Sequence, residues 1–157
     1  MKINSVILLR YWQLSFAKLS ASPLLRDLPF SYEPYLESCI MGLSTHVLDT
    51  MHGSPASGMA VSLFTTVGLD ATLVKQFTLN ADGRNPDGLL YDTASLKVGT
   101  YRLVFDVAGY FKAQGVTLPE PNFLNQVTVD FGVADTAAHY HVPLLVSPWS
   151  YSTYRGS

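Results

Sequence analysis

The sequence predicts an all-β protein, an antiparallel β-sandwich of about eight strands with one short helix. Apolar and polar residues alternate in several short segments, which is the period of half-buried strands. Clusters of glycine and proline separate these segments, as turns between strands require. With 157 residues, 48% of them hydrophobic, the chain is long and apolar enough for the core of one domain.

The first predicted strands are separated by residues that favour turns. Segment 80–88, Asn-Ala-Asp-Gly-Arg-Asn-Pro-Asp-Gly, is especially dense in residues that accept turn geometry. Arg84 is therefore predicted at a boundary between strand and loop. The three strands predicted in this half of the domain are 43–48, 60–67 and 72–79.

The second half contains three further predicted strands. Segments 101–107 and 127–133 each place apolar residues at every second position. Between them, the residues from Gly109 to Gly115 predict a short helical turn bounded by glycines. Segment 139–146 alternates in the same way, so its apolar residues are predicted to face the core.

The last predicted strand also places two histidines on its outer face. Strand geometry puts His139 and His141 about 7 Å apart. A His-x-His pair on a strand can ligate zinc, bind an anion or transfer protons near neutral pH. The segment that follows, Tyr151-Ser-Thr-Tyr-Arg-Gly-Ser157, combines two aromatic rings with a guanidinium group. It is predicted to dock into a site rather than to fray.

The charge and the cysteine content narrow the class of partner. Ten basic and twelve acidic residues give a net charge of −2. The sequence therefore lacks the excess of positive charge that is typical of proteins that bind nucleic acid or an anionic membrane. The apolar run that ends at Arg10 is too short to span a membrane. Cys39 is the single cysteine, so an intramolecular disulfide is excluded. A small-molecule partner is therefore expected.

The first forty residues differ from the rest of the chain, because they lack both alternation and turn punctuation. We expect residues 1–41 to be an N-terminal extension, and residues 42–157 to form the domain. Basic residues precede the first acid, Asp27, which leaves organelle targeting open as an alternative. The favoured interpretation is an extension that contributes nothing to folding, with Met41 as an alternative start. The expected compartment is the cytoplasm, or the peroxisome or another organelle if the extension is a targeting segment.

Three motifs, in this order, resemble those of the 5-hydroxyisourate hydrolases, the transthyretin-related enzymes of urate breakdown. They are Leu43-Ser-Thr-His-Val-Leu-Asp49, Asp82-Gly-Arg84, and His139-Tyr-His-Val-Pro-Leu-Leu145 with the terminal Tyr-Arg-Gly-Ser. The resemblance covers residues 43–157 and implies a transthyretin-like sandwich. It also implies a homotetramer, a dimer of dimers, whose active sites form where motifs of neighbouring subunits meet.

The resemblance implies hydrolysis of 5-hydroxyisourate to 2-oxo-4-hydroxy-4-carboxy-5-ureidoimidazoline, without a cofactor or metal. A histidine would activate water, which would open a cyclic amide. The catalytic residues implied are His46, Arg84, His141 and Ser157, and the substrate-binding residues are His46, Arg84 and Tyr154. The supporting residues implied are His139, Arg155 and Gly156.

Three alternatives remain open from the residues alone. The protein could be a non-catalytic small-molecule carrier of transthyretin type, because the same fold serves both purposes. His46, His139 and His141 could together ligate a catalytic zinc. Ser157 could act as a nucleophile, although no adjacent base can be assigned to it.

Overall fold

Nine strands and one helix make up residues 41–156, the part of the chain that this computed structural model describes. The predicted extension 1–41, apart from Met41, and the terminal Ser157 lie outside the described residues. The domain boundaries therefore stay a prediction. The elements are β1 (Gly42–Asp49), β2 (Ser54–Pro55), β3 (Ala60–Val67), β4 (Asp70–Thr78), β5 (Tyr91–Asp92), β6 (Gly99–Phe105), α1 (Val107–Ala113), β7 (Val127–Val133), β8 (Tyr140–Ser147) and β9 (Ser150–Thr153).

The first sheet has the strand order β2-β1-β8-β9, with β5 also paired to β1. Strands β1 and β8 are parallel, while the other pairings of this sheet are antiparallel. A parallel pair needs a long connection, and here the chain builds the whole second sheet between the two strands. That second sheet is antiparallel throughout, in the order β4-β3-β6-β7.

The core lies between the inner faces of the two sheets. Alternate residues of β1, β3, β6, β7 and β8 point inward, as the period of two requires. The prediction of an all-β sandwich with one short helix is thus confirmed. The largest fully buried side chains are Phe105, Phe111, Leu43, Met59, Leu63, Leu103, Leu144, Val47, Val61, Val107, Val127 and Val133.

The predicted strand 101–107 is wrong at its end, because Val107 begins the helix instead of continuing the strand. The preceding Asp106 is the N-cap of α1, and its side chain accepts a hydrogen bond from the backbone N–H of Gly109. Such a cap satisfies a helix donor that would otherwise be unpaired, so the chain turns into a helix here. Val107 is still fully buried, which explains why it fits the apolar alternation.

A buried carboxylate connects the end of β1 to the helix. Asp49 is 0% exposed and accepts hydrogen bonds from the His52 ring at 2.5 Å and from the Tyr110 hydroxyl at 3.0 Å. It also accepts from the backbone N–H groups of Met51 and His52. Burial tends to raise the pKa of Asp49, but the hydrogen bonds from His52 and Tyr110 outweigh it and lower the pKa. Burial and the bond to Asp49 raise the pKa of Tyr110 to about 12.

Among the described residues, no helix combines the length and the apolar character needed to cross a membrane.

The substitution Asp49→Asn is expected to lower the free energy of unfolding at pH 7 by about 1.5–3 kcal/mol, since it weakens charge-assisted hydrogen bonds. Because the folded state depresses the pKa of Asp49, this stabilisation is present above the ordinary carboxyl pKa and is lost as pH falls through the lowered one. Urea unfolding between pH 7 and pH 3 measures the difference. The exposed Asp70→Asn is the control, and an equal loss at every pH would contradict the assignment.

Candidate active site

The outer face of the parallel pair carries three histidines in a row. The register of β1 and β8 sets Ser44 opposite His141 and His46 opposite Pro143. The ring centroids of His46 and His141 are 6.5 Å apart, and those of His139 and His141 are 6.4 Å apart. Residues distant in sequence thus form one continuous row of imidazoles on the outside of the sheet.

Arg84 is brought to this row by a tight turn that docks against β1. Gly83 has a φ of +68°, and its carbonyl accepts a hydrogen bond from the Val47 N–H at 2.9 Å. A Cβ at position 83 would lie 2.5 Å from the Val47 carbonyl oxygen, so both the backbone angle and the close approach require glycine. The next residue, Arg84, forms a backbone bridge with His46. The turn itself is closed by Asn80, whose side-chain oxygen accepts from the Arg84 N–H at 2.9 Å.

The environment favours the neutral form of both histidines. Burial and the positive charge of Arg84 lower the pKa of His46, although interactions with Asp82 oppose part of the shift. Burial, Arg84 and the neighbouring imidazoles His139 and His46 all lower the pKa of His141. An imidazole with a pKa below its ordinary value of about 6.5 is uncharged at neutral pH and can accept a proton.

The C-terminal segment returns to β8 and touches His141. Strand β9 pairs with β8, and beyond it the N–H of Gly156 donates to the His141 carbonyl at 2.8 Å. A Cβ at Gly156 would lie 2.8 Å from the Cδ2 of His141, so a side chain there would push against the imidazole. The guanidinium of Arg155 stacks 4.5 Å from the centroid of the Tyr140 ring, a cation–π contact.

Within its own chain, Tyr154 borders a depression that is separate from the row of histidines. Its side chain is 60% exposed and borders a depression of about 230 Å³ that Val129, Phe131 and Arg155 also line. His46, Arg84 and His141 are not among the residues that line that depression. A larger depression of about 580 Å³ borders His139, Arg155 and Gly156, together with Met41 and Ala138.

Ser44 belongs to the cluster, although no pattern in the sequence indicated it. Its hydroxyl lies 2.9 Å from Nδ1 of His141 and 3.3 Å from Nε2 of His139. The signal that identifies it is the parallel register of β1 and β8, which spacing within the sequence does not reveal.

The geometry lends no support to the zinc alternative. Within residues 41–156, no group of three or more histidine, cysteine, aspartate or glutamate side chains could hold a metal ion. The arrangement offers instead two neutral imidazoles beside a permanent cation, which suits proton transfer next to a developing negative charge.

Comparison with known proteins identifies the family. Residues 43–156 match the HIUase/Transthyretin family. The chain belongs to this family. Within it, the 5-hydroxyisourate hydrolase of Ralstonia nicotianae is 55% identical over 115 residues, which are 73% of this chain and 97% of that protein. The 5-hydroxyisourate hydrolase of Deinococcus radiodurans is 53% identical over 116 residues, 74% of this chain and 96% of that protein.

Solved structures also superpose on the sandwich. The 5-hydroxyisourate hydrolase of Klebsiella pneumoniae has a TM-score of 0.59 at 32% identity, over 73% of this chain and 98% of that one. Sea bream transthyretin in complex with thyroxine has a TM-score of 0.63 at 28% identity, over 73% and 93%. An (S)-allantoin synthase has a TM-score of 0.70 at 41% identity, and the match covers 75% of this chain but 44% of that longer one.

Replacing Arg84 by methionine is expected to raise the pKa of both His46 and His141, because the nearby positive charge is removed while the length of the side chain is kept. NMR titration of the histidine ring protons measures both values. Arg102→Met is the matched control, since Arg102 pairs with Asp130 on the other sheet. Unchanged titration of both histidines in Arg84→Met would show that Arg84 does not influence the cluster.

Proposed function

We propose that the protein hydrolyses 5-hydroxyisourate to 2-oxo-4-hydroxy-4-carboxy-5-ureidoimidazoline, a step of urate degradation. The observation that supports this most directly is the convergence of His46, His141 and Arg84 on one sheet face. The relatives from Ralstonia and Deinococcus, more than half identical over nearly their whole length, are 5-hydroxyisourate hydrolases.

The proposed reaction opens a cyclic amide by direct attack of water. A neutral imidazole takes a proton from water as the oxygen bonds to the carbonyl carbon, which creates an oxyanion. The C–N bond then breaks, and the imidazolium returns the proton to the leaving nitrogen. A positioned general base is worth about 10²–10⁴-fold in rate. No metal or cofactor enters these steps.

Arg84 supports both binding and polarisation in this proposal. Its planar guanidinium can donate paired hydrogen bonds to the carbonyl and imide groups of the flat substrate. The same charge stabilises the oxyanion, a contribution that is typically worth about 10²–10³-fold per donor. Because Arg84 also lowers the pKa of His46 and His141, one cation serves the substrate and keeps the base neutral.

The C-terminal segment completes the proposed site. Gly156 lies against His141, and Arg155 is held by Tyr140. We assign Tyr154 to substrate binding and Ser157 to the polar end of the pocket. Since Tyr154 borders a separate depression within its own chain, its contact with substrate is assigned to the site of a neighbouring subunit.

Such a shared site requires at least a second subunit, which the proposed homotetramer, a dimer of dimers, would supply. Strand β9 supports it, because it ends the order of its sheet and all four of its residues are exposed. Three large aromatic side chains on and beside it are also exposed: Trp149 (54%), Tyr151 (48%) and Tyr154 (60%). An open edge with exposed aromatics favours pairing with another copy.

The second candidate is a carrier, which the likeness to thyroxine-bound sea bream transthyretin raises. A carrier has no need of two neutral imidazoles beside an arginine. The experiment that separates the two functions adds purified protein to freshly generated 5-hydroxyisourate and follows its decay by absorbance. Circular dichroism then reports whether one product enantiomer accumulates. Accelerated and stereoselective decay supports the hydrolase, whereas binding without acceleration by folded protein would contradict it.

The variants His46→Asn and His141→Asn are each expected to lower kcat/KM for 5-hydroxyisourate by about 10²–10⁴-fold, with little change in stability. Both side chains lie on the outer face, so their loss leaves the core intact. Initial rates and thermal unfolding measure the two effects. His52→Asn, in the turn that follows β1, is expected to retain turnover and serves as the control for the rate. Full turnover in both site variants would exclude the proposed chemistry.

A further inference from the structure

The Ser44 hydroxyl lies between two imidazoles and joins them into one hydrogen-bonded chain. Ser44 Oγ is 2.9 Å from His141 Nδ1 and 3.3 Å from His139 Nε2. All three side chains are partly buried, and the parallel register of β1 with β8 sets Ser44 directly opposite His141. The direction of these two hydrogen bonds decides which nitrogen of His141 carries a hydrogen.

The number of protons limits the possible directions. A serine hydroxyl has one hydrogen to donate, and a neutral imidazole has one N–H and one accepting nitrogen. In the first arrangement, His139 Nε2–H donates to Ser44, which donates to His141 Nδ1. In the second, His141 Nδ1–H donates to Ser44, which donates to His139 Nε2. In the third, both imidazoles donate to Ser44, and its hydrogen must find another acceptor.

The surroundings of His139 disfavour the second arrangement. Its Nδ1 is buried and has no hydrogen-bond partner in the described part of the chain. If Ser44 donated to Nε2, the single hydrogen of His139 would sit on Nδ1 as a buried donor without an acceptor. Among buried backbone groups, orphaned N–H donors are rarer than under-satisfied carbonyl acceptors, and we apply the same order to the imidazole nitrogens.

The third arrangement leaves the Ser44 hydroxyl hydrogen without an acceptor. Within residues 41–156, the Ser44 hydroxyl has the two histidine nitrogens as its hydrogen-bond partners. In the first arrangement, the Nε2 hydrogen of His139 and the Ser44 hydrogen are both donated within the three-residue network. It leaves Nδ1 of His139 as an unprotonated acceptor, the less costly of the two orphaned states.

We propose that Ser44 is a positioning residue that fixes the tautomer of His141. Its hydroxyl accepts from Nε2–H of His139 and donates to Nδ1 of His141, so that His141 presents Nε2–H to the substrate. An imidazole held in this way donates a hydrogen bond and does not take a proton from water. The tautomer stands on the structure alone, whereas its use in catalysis rests on the proposed function.

The roles of the two histidines then separate. His46 is the base, which takes the water proton and later returns it to the leaving nitrogen. His141 acts beside Arg84 as a donor to the oxyanion that forms when the C–O bond is made. Neutral imidazoles can polarise a carbonyl in this manner, and neighbouring positive charge helps to keep them neutral. His139 does not pass a net proton through Ser44 to His141, since that would leave His139 as an imidazolate.

The direct test is nitrogen NMR of the native protein labelled with ¹⁵N-histidine, recorded near neutral pH without substrate. The chemical shifts and ring couplings report which nitrogen of each histidine carries hydrogen. We expect protonated Nε2 and unprotonated Nδ1 in both His141 and His139. A protonated Nδ1 on His141 would overturn the proposal, whether or not the protein hydrolyses 5-hydroxyisourate.

Variants separate positioning from packing. Ser44→Ala is expected to remove the preference of His141 for one tautomer, whereas Ser44→Thr keeps the hydroxyl and should retain it. Ser62→Ala on the second sheet is the matched control, since the Ser62 hydroxyl bonds to Gln76 and to no histidine. If Ser44→Ala does not fold, the native protein and Ser44→Thr still decide. An unchanged tautomer in folded Ser44→Ala would overturn the role of Ser44.

Kinetics test the catalytic consequence. We expect Ser44→Ala to lower kcat for 5-hydroxyisourate by about 10- to 100-fold with a smaller effect on KM, because a mis-set tautomer removes a donor used in the transition state. Ser44→Thr should restore most of kcat. Failure of the native protein to turn over substrate would refute the proposed function and leave the NMR result valid. A full kcat in Ser44→Ala that has lost the tautomer would refute the assigned role of His141.

Discussion

The parallel pairing of β1 with β8 is the constraint on which the candidate site depends. Its register is fixed on the inner face, where Leu43, Val47 and Leu144 are fully buried. The buried Thr45 hydroxyl adds a donor to the Val142 carbonyl at 2.8 Å across the two strands. A slip of one residue would turn the buried side chains outward and the histidines inward, so core packing strongly opposes it. The packing of the core therefore fixes the position of the site.

The site depends next on electrostatics that the fold imposes. The docked turn at Gly83 sets Arg84 beside His46, and the same cation contributes to the lowered pKa of His141. Burial is the larger influence on both imidazoles, and it acts in the same direction. Charge and desolvation thus cooperate to hold two neutral imidazoles next to a permanent cation. This arrangement suits a reaction that needs a base and a stabilised oxyanion at the same time.

The sequence predicted the sandwich well because its strands alternate clearly. Strands β3 and β7 were predicted with the observed bounds. In β7 the apolar residues follow one period throughout. The short strands β2 and β5 and the exposed β9 were not predicted as strands, because their positions follow from pairing with neighbours rather than from their own pattern. Val107 was misassigned because the cap at Asp106 overrides an alternation that continues into the helix.

The candidate site was less accessible to sequence reasoning than the fold. The pair His139 and His141 could be found from alternation within one strand. The meeting of His46 with Arg84 depends on a turn docked against β1, and only the resemblance to a family suggested it. Ser44 was missed because its role arises from a register between strands almost a hundred residues apart, as its 97-residue separation from His141 shows.

The pH dependence of kcat/KM for 5-hydroxyisourate tests the central claim most directly, because it reports the charge state of the free protein's base. Burial and Arg84 lower the pKa of His46, so its neutral form persists to lower pH than that of an ordinary imidazole. The predicted profile is flat around pH 7 and falls only on the acid side, below the ordinary imidazole pKa of about 6.5. A kcat/KM that rises as the solution is acidified from pH 7 would mean that an imidazolium is required, and would contradict a neutral histidine base.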